Sequence, residues 1–274
     1  MFPVTDNTGS TALITGASSG IGEAFALLLA QRGCSLVLVS ENEPELKRVK
    51  ARIGSLYPVS VRIIQADLCR TESADRLFRT CSEEGIEVDL LINGAGIYVN
   101  AEIELADPDR VRDELALHVQ SLTRLCLLFG RAMIERCGGS ILNISSISAF
   151  FPDFSSLTYG PSKDYVLKLS EALHCDWKEH NIRVTCLVPG GVRSNFFKTN
   201  RIYVPPMVTS HLMSAERCAG IGLRALSKGK MRVIPGVLAK LHMLLFRFTT
   251  KPAFYSFYKR LYFRMKDRST GKNS

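Results

Sequence analysis

Residues 11–15, Thr-Ala-Leu-Ile-Thr, form a short apolar run that opens directly into Gly16-Ala-Ser-Ser-Gly20-Ile-Gly22. An amphipathic stretch from about Glu23 to Arg32 follows. This is the feature that most restricts the fold. A buried strand that enters a glycine turn and leaves as a helix is the opening of a βαβ unit. Glycines let the backbone approach a pyrophosphate closely, and the helix N-terminus offers it unpaired N–H groups. The spacing is GxxxGxG rather than GxGxxG. The plain alternative is a tight strand-to-helix turn that needs small residues and binds nothing.

The rest of the chain repeats the alternation. Apolar runs at 35–39, 61–64, 89–92, 140–145, 183–188 and 231–234 read as strands. Helical patterns are expected at about 71–84, 109–136, 158–180 and 214–227, with Val111, Leu115, Leu122, Leu125 and Phe129 at helical spacing in the second. Strands alternating with helices mean βαβ units and a parallel sheet. The expected class is α/β, a Rossmann-type doubly wound parallel sheet of about seven strands. It occupies 1–235 as one domain, and a basic helical tail follows at 236–274.

Three strand ends carry polar or small residues. Val39 is followed by Ser40-Glu41-Asn42, about 20 residues past the glycines, where a dinucleotide fold reads the adenosine ribose. A carboxylate there accepts hydrogen bonds from the ribose 2′ and 3′ hydroxyls, so Glu41 with the neutral Ser19 favours NAD(H) over NADP(H). Otherwise Glu41 is a solvent-facing glutamate at a helix start. Asp67, after the third strand, either holds an adenine amino group or leads into the next helix. Asn93-Gly94-Ala95-Gly96 leaves room for a flat cofactor.

Tyr159 and Lys163 lie four residues apart and so share one helix face. A free phenol has a pKa of about 10, and a fixed ammonium beside it favours the phenolate. Thirteen residues upstream of Tyr159, Ser146 stands just past a strand end, where a hydroxyl can hydrogen-bond a substrate oxygen as charge develops. Taken alone, a Tyr/Lys pair at this spacing is as readily a surface contact.

In this order and spacing the motifs resemble the short-chain dehydrogenase/reductase family over about residues 10–235. The resemblance implies hydride transfer between a nicotinamide and an alcohol or ketone, with Ser146, Tyr159 and Lys163 catalytic. Gly16, Ser18, Ser19, Gly20, Ile21 and Gly22 would cradle the cofactor, and Asp67 and Leu68 would hold the adenine. Asn93, Ala95 and Gly96 would stand by the ribose, and Val188, Pro189, Gly190, Val192 and Ser194 by the nicotinamide and pyrophosphate. It also implies a homodimer formed through the helices at 109–136 and 158–180. Two positions depart from the family pattern. Gly94 replaces a customary asparagine, and His118 stands where an asparagine helps hold a water that links the lysine to solvent. His118 is accordingly a candidate for the proton relay, or a structural histidine. The competing class is a catalytically weak NAD(H)-binding sensor or scaffold on the same fold.

Residues 191–215 form a long irregular stretch rich in apolar side chains, including Phe196, Phe197, Tyr203, Met207 and Met213. They suggest a lipophilic carbonyl or alcohol substrate of steroid, retinoid or fatty-acyl type. Charge is uneven. Residues 224–274 hold 13 basic residues against one acid, leaving 22 against 25 in the rest. Phe254, Phe257, Tyr258, Leu261, Tyr262 and Met265 make an aromatic stripe flanked by Lys259, Arg260, Arg264 and Lys266. Such a helix either lies in a membrane interface or packs on protein; nothing else supports nucleic acid. The eight cysteines show no paired or metal-ligand spacing and read as buried thiols in a reducing compartment. With no signal peptide at the N-terminus and no run long enough to span a bilayer, the expected location is cytoplasmic, with membrane association through the tail left open.

Overall fold

The computed structural model describes residues 9–101, 105–150, 156–200, 202, 212–237, 239, 256–257 and 259–260. Seven parallel strands form one sheet: β1 (Thr11–Thr15), β2 (Ser35–Ser40), β3 (Val61–Gln65), β4 (Leu90–Asn93), β5 (Gly139–Ile144), β6 (Ile182–Leu187) and β9 (Arg232–Val233). Their order is β3-β2-β1-β4-β5-β6-β9. Thus β1 pairs with β2 on one side and β4 on the other, and the strand order reverses there. Ligands of open α/β sheets bind in the crevice at such a reversal, beyond the carboxyl ends of the strands.

Side-chain alternation along each strand feeds two cores. In β1, Ala12 and Ile14 face one side and Leu13 the other. The first side is covered by α1 (Gly20–Ala30), α2 (Glu43–Leu56) and the last long helix, Ala215–Ser227, through Phe25, Leu29, Leu46, Val49 and Leu223. The second is covered by α3 (Ser73–Glu83), α5 (Leu122–Glu135) and α6 (Tyr159–Asp176), through Leu77, Leu125, Phe129, Met133 and Val166. Burying each such side chain contributes about 1.5–3 kcal/mol.

The expected helix over 109–136 is three pieces. α4 (Pro108–Leu115) gives way to a π turn at Ala116–Ser121, and α5 begins after it. The wider turn buries the consecutive Ala116, Leu117 and His118 together with Ser121, which a regular helix on a flat surface would not do. The alternative reading of Glu41 put a helix start there; α2 begins two residues later, and Asn42 caps it by accepting the Glu45 amide, which places Glu41 before the helix. In the 191–215 stretch, β7 (Val192–Arg193) pairs with β8 (Met213–Ser214), bringing the two ends of the stretch together. It contains the short α7 (Phe196–Thr199), and Ser214 then caps α8, the helix Ala215–Ser227, by accepting the Arg217 amide.

The cysteines are all free, but not all buried: Cys137 and Cys175 are exposed. Among the described residues no helix is long and apolar enough to cross a membrane. Most of the aromatic stripe of the tail lies outside the described residues; Phe257 is exposed. Tyr203 and Met207 also lie outside them.

Candidate active site

A cavity of about 480 Å³ opens at the carboxyl ends of β1, β4 and β5. Its floor begins with the glycine turn. Gly16 and Gly20 have φ of +69° and +58°, a region costly for other residues. A Cβ on Gly16 would stand 2.8 Å from the Ala95 backbone, and one on Gly22 would stand 2.1 Å from the Gly16 carbonyl oxygen. These are places where backbone must meet backbone. Thr15 locks the turn from below: its Oγ1 accepts the amides of Gly94 at 3.0 Å and Ala95 at 3.2 Å and donates to the Ile92 carbonyl. Ser19, the N-cap of α1, makes no side-chain bond to its helix. The helix start therefore faces the cavity with backbone donors available to an anion.

Ser18, Ser19, Gly20, Ile21, Glu41, Asp67, Leu68, Ala95, Gly96, Pro189, Gly190, Val192 and Ser194 all line the cavity, as do Gly16 and Gly22. Beside the glycine turn Ser40 donates to Ser18 Oγ at 2.9 Å, and Glu41 stands at the rim. Arg48 reaches the same turn, donating to the Ser18 carbonyl, but its guanidinium is committed to Glu23 and Glu45. These residues fit a dinucleotide: a cradle that excludes Cβ atoms, an uncapped helix start, and a carboxylate at the rim.

Asn93 departs from its expected place. Its side chain lies buried beneath the cavity, donating to Asn143 Oδ1 at 2.8 Å and to Cys126 Sγ at 3.3 Å. The pleat is the reason, since Asn93 still belongs to β4 and the chain turns toward the cavity at Gly94. Val188 is likewise buried behind the lining, against Leu167 and Cys186.

Ser146, Tyr159 and Lys163 all line the same cavity. Ser146 Oγ accepts the Ser148 amide at 3.1 Å, which orients the hydroxyl from its own turn. Lys163 is buried, with Nζ donating to the Ile144 carbonyl at 3.2 Å and standing 5.6 Å from the Tyr159 ring centroid. Ser145 Oγ donates to the Lys163 carbonyl at 2.6 Å, fastening α6 to the end of β5. Burial pushes the Lys163 ammonium down to about 8.

His118 does not reach the cavity lining. Its Nε2 accepts the Ile97 amide at 3.2 Å, so Nδ1 carries the proton and donates to Ser162 Oγ at 2.9 Å. Ser162 in turn donates to the Tyr159 carbonyl. Both ring nitrogens are thus held by the protein. Burial, with Lys163 nearby, drives the ring pKa well below 6.5, so the imidazole is neutral.

The sequence reading named Phe196 but missed the aromatic wall that it forms with Tyr98. The Tyr98 ring centroid lies 4.7 Å from that of Tyr159, and Phe196 lies 6.5 Å and 6.2 Å from the two. Asn200 holds the wall together, accepting the Tyr98 amide at 2.9 Å and donating to the Phe196 carbonyl at 2.8 Å. Tyr98 follows the Gly94-Ala95-Gly96 turn by two residues, and that closeness was the available signal. Asn200 carried none.

Residues 10–202 match the family model for short chain dehydrogenases. The chain belongs to the short-chain dehydrogenase family, a class of oxidoreductases. It is 33% identical over 198 residues to a very-long-chain 3-oxoacyl-CoA reductase from Anas platyrhynchos, covering 70% of this chain and 63% of that protein. Among solved structures it resembles a short-chain dehydrogenase from Sphingobium yanoikuyae in complex with NADPH, with a TM-score of 0.78, 28% identity, and coverage of 86% and 91% of the two chains. It also resembles a bulky-bulky ketone specific alcohol dehydrogenase from Comamonas testosteroni, with a TM-score of 0.73, 26% identity, and coverage of 88% and 95%.

Proposed function

We propose that this chain interconverts a lipophilic ketone, of 3-oxoacyl or similarly bulky type, and its secondary alcohol, using NAD(H). The observation that carries this reading is the convergence of Ser146, Tyr159 and Lys163 on the same cavity that the glycine cradle lines. When bound, the nicotinamide supplies or accepts the hydride; the protein supplies orientation and proton handling. Gly16, Ser19, Gly20, Ile21 and Gly22 hold the pyrophosphate, and Glu41, Asp67, Leu68, Ala95 and Gly96 the adenosine side. Pro189, Gly190, Val192 and Ser194 complete the wall. Tyr159 exchanges a proton with the substrate oxygen, and Ser146 hydrogen-bonds that oxygen as charge develops. Lys163 places a positive charge beside the phenol, which favours its ionised form.

The lipophilic class is supported by Tyr98, Phe196, Phe197 and Ile202 in the lining and by the likeness to a very-long-chain 3-oxoacyl-CoA reductase and to a bulky-bulky ketone specific alcohol dehydrogenase. NAD(H) is supported by Glu41 at the rim and by the pairing of Arg48 with Glu23 and Glu45. A homodimer through the helical stretches 109–136 and 158–180 is part of the same reading, with Leu115 at the end of α4 and Tyr165 on α6 partly exposed. The same reading has the protein in the cytoplasm, with its basic tail either against an anionic membrane surface or packed on protein.

The test is absorbance-monitored oxidation of NADH and NADPH with a panel of 3-oxoacyl, steroid, retinoid and small carbonyls, run beside Tyr159→Phe. Turnover that the phenylalanine variant loses by at least about a hundredfold is expected. Wild-type turnover that survives the substitution would overturn the assignment.

A further inference from the structure

Three consecutive backbone amides past the end of β4 are each accepted by a side chain from a distant element. His118 Nε2 takes Ile97 at 3.2 Å, Asn200 Oδ1 takes Tyr98 at 2.9 Å, and Glu114 Oε1 takes Val99 at 3.1 Å. The segment belongs to no strand, so side chains supply what a sheet ladder would. Two of these acceptors hold a second partner. Glu114 Oε2 accepts the Thr158 hydroxyl, and His118 Nδ1 bonds Ser162 Oγ. A threonine at a helix N-cap ordinarily turns its hydroxyl to the first turn of its own helix. Thr158 is the N-cap of α6 and makes no such bond; its hydroxyl goes to Glu114. Glu114 and His118 thus each tie the 97–99 segment to the start of α6. Tyr98 sits between the tied residues Ile97 and Val99 in sequence, and Tyr159 between Thr158 and Ser162. The rings of these two tyrosines stand 4.7 Å apart.

We infer that Glu114 is a positioning residue of the active site: by bridging the Val99 amide and the Thr158 hydroxyl, its carboxyl fixes the Tyr98 ring against Tyr159 and so sets where the Tyr159 hydroxyl stands. This rests on the reading of Tyr159 as the proton-transfer residue. Glu114 is the buried residue of α4, whose other residues are at least partly exposed. Burying a carboxyl is costly unless its oxygens are met, and here each oxygen meets a partner on a different segment. A hydroxyl can give or take a proton, so the Thr158 contact suits the carboxyl in either protonation state. The bridge therefore acts through its two bonds. Without it the segment stays attached at Ile97 and Tyr98, through His118 and Asn200, and is free to pivot at Val99. A misplacement of about 1 Å at reacting groups can cost about a hundredfold in rate.

The experiment has two readouts on the full chain. The first is the nuclear Overhauser contact between the Tyr98 and Tyr159 rings, without nicotinamide or substrate, with signals assigned by Tyr98→Phe and Tyr159→Phe. The second is steady-state kinetics beside NADH affinity by fluorescence titration. Glu114→Leu removes both bonds. The ring contact is expected to weaken and kcat to fall at least about tenfold, with NADH affinity unchanged because the glycine cradle is untouched. Glu114→Gln still accepts the Val99 amide at Oε1 and donates to Thr158 from Nε2, so it is expected to restore the ring contact and most of kcat. If the leucine variant does not fold, Thr158→Val decides. It cuts only the tie to α6 and is expected to weaken the ring contact and lower kcat about threefold. A ring contact unmoved in Glu114→Leu and Thr158→Val, a glutamine variant that loses as much as these, or an equal loss of NADH affinity would each overturn the inference. The ring contact needs no turnover, so it stays readable even if the Tyr159→Phe assay refutes the catalytic reading.

Discussion

Asn200 Oδ1 accepts the backbone amide of Tyr98 at 2.9 Å, across 102 positions of sequence. Tyr98 leans on Tyr159, so this bond couples the long loop to the proposed proton-transfer residue.

Asn200→Ala leaves a buried amide unpaired, at a cost of about 1–3 kcal/mol. The loop is expected to settle less tightly over the substrate. KM for a bulky ketone should rise about tenfold while kcat changes less. Steady-state kinetics check this; an unchanged KM would mean that the Tyr98 wall does not contact substrate.

Gly22→Ala puts a Cβ where only 2.1 Å separates it from the Gly16 carbonyl oxygen, so the turn must open. The cradle then no longer matches a pyrophosphate. NADH affinity, read by fluorescence titration, is expected to weaken at least about tenfold, or about 1.4 kcal/mol. Retained affinity would show that the dinucleotide sits elsewhere.

The proposed preference for NAD(H) rests on Glu41 at the cavity rim. Glu41→Gln removes a carboxylate from the place where a 2′-phosphate would sit. The ratio of kcat/KM for NADPH over NADH should rise about tenfold, a change of about 1.4 kcal/mol. A wild type that already prefers NADPH by a wide margin would refute the ribose argument.

His118 makes the fold acid-sensitive. Its folded pKa lies well below 6.5, while the unfolded ring titrates near 6.5. Below about pH 6.5 the unfolded chain therefore binds a proton that the folded chain refuses. Stability falls as pH falls, by at most about 1.4 kcal/mol per pH unit from this one group. Urea denaturation at pH 7, 6 and 5 should show that slope reduced in His118→Gln. Equal slopes in both proteins would mean that the histidine protonates without strain.

Much of the frame was legible because it is written locally. Glycine at 16 and 22 is needed where backbone touches backbone, and at 20 where φ is +58°, and such needs leave a mark in sequence as missing side chains. Tyr159 and Lys163 were legible because four residues on a helix make one face. The division of 108–135 into helix, π turn and helix was not. Its apolar spacing resembles that of one continuous helix, and the extra residue in the turn is absorbed only when His118 finds Ile97 and Ser162. Asn93 was read as cofactor-facing because it begins the Asn-Gly-Ala-Gly motif, but the pleat turns its side chain down to Asn143.

By itself the sequence determined the alternation of strands and helices, the glycine cradle and the spacing of the tyrosine–lysine pair, since each follows from propensity and periodicity over a few residues. Tertiary structure alone decided that Glu114, outwardly one more charge on a polar helix, is buried; that Asn200 meets Tyr98; and that His118 is a neutral strut. Those outcomes depend on which distant donors arrive when the sheet closes, and burial is a property of the assembled layers, not of any one segment.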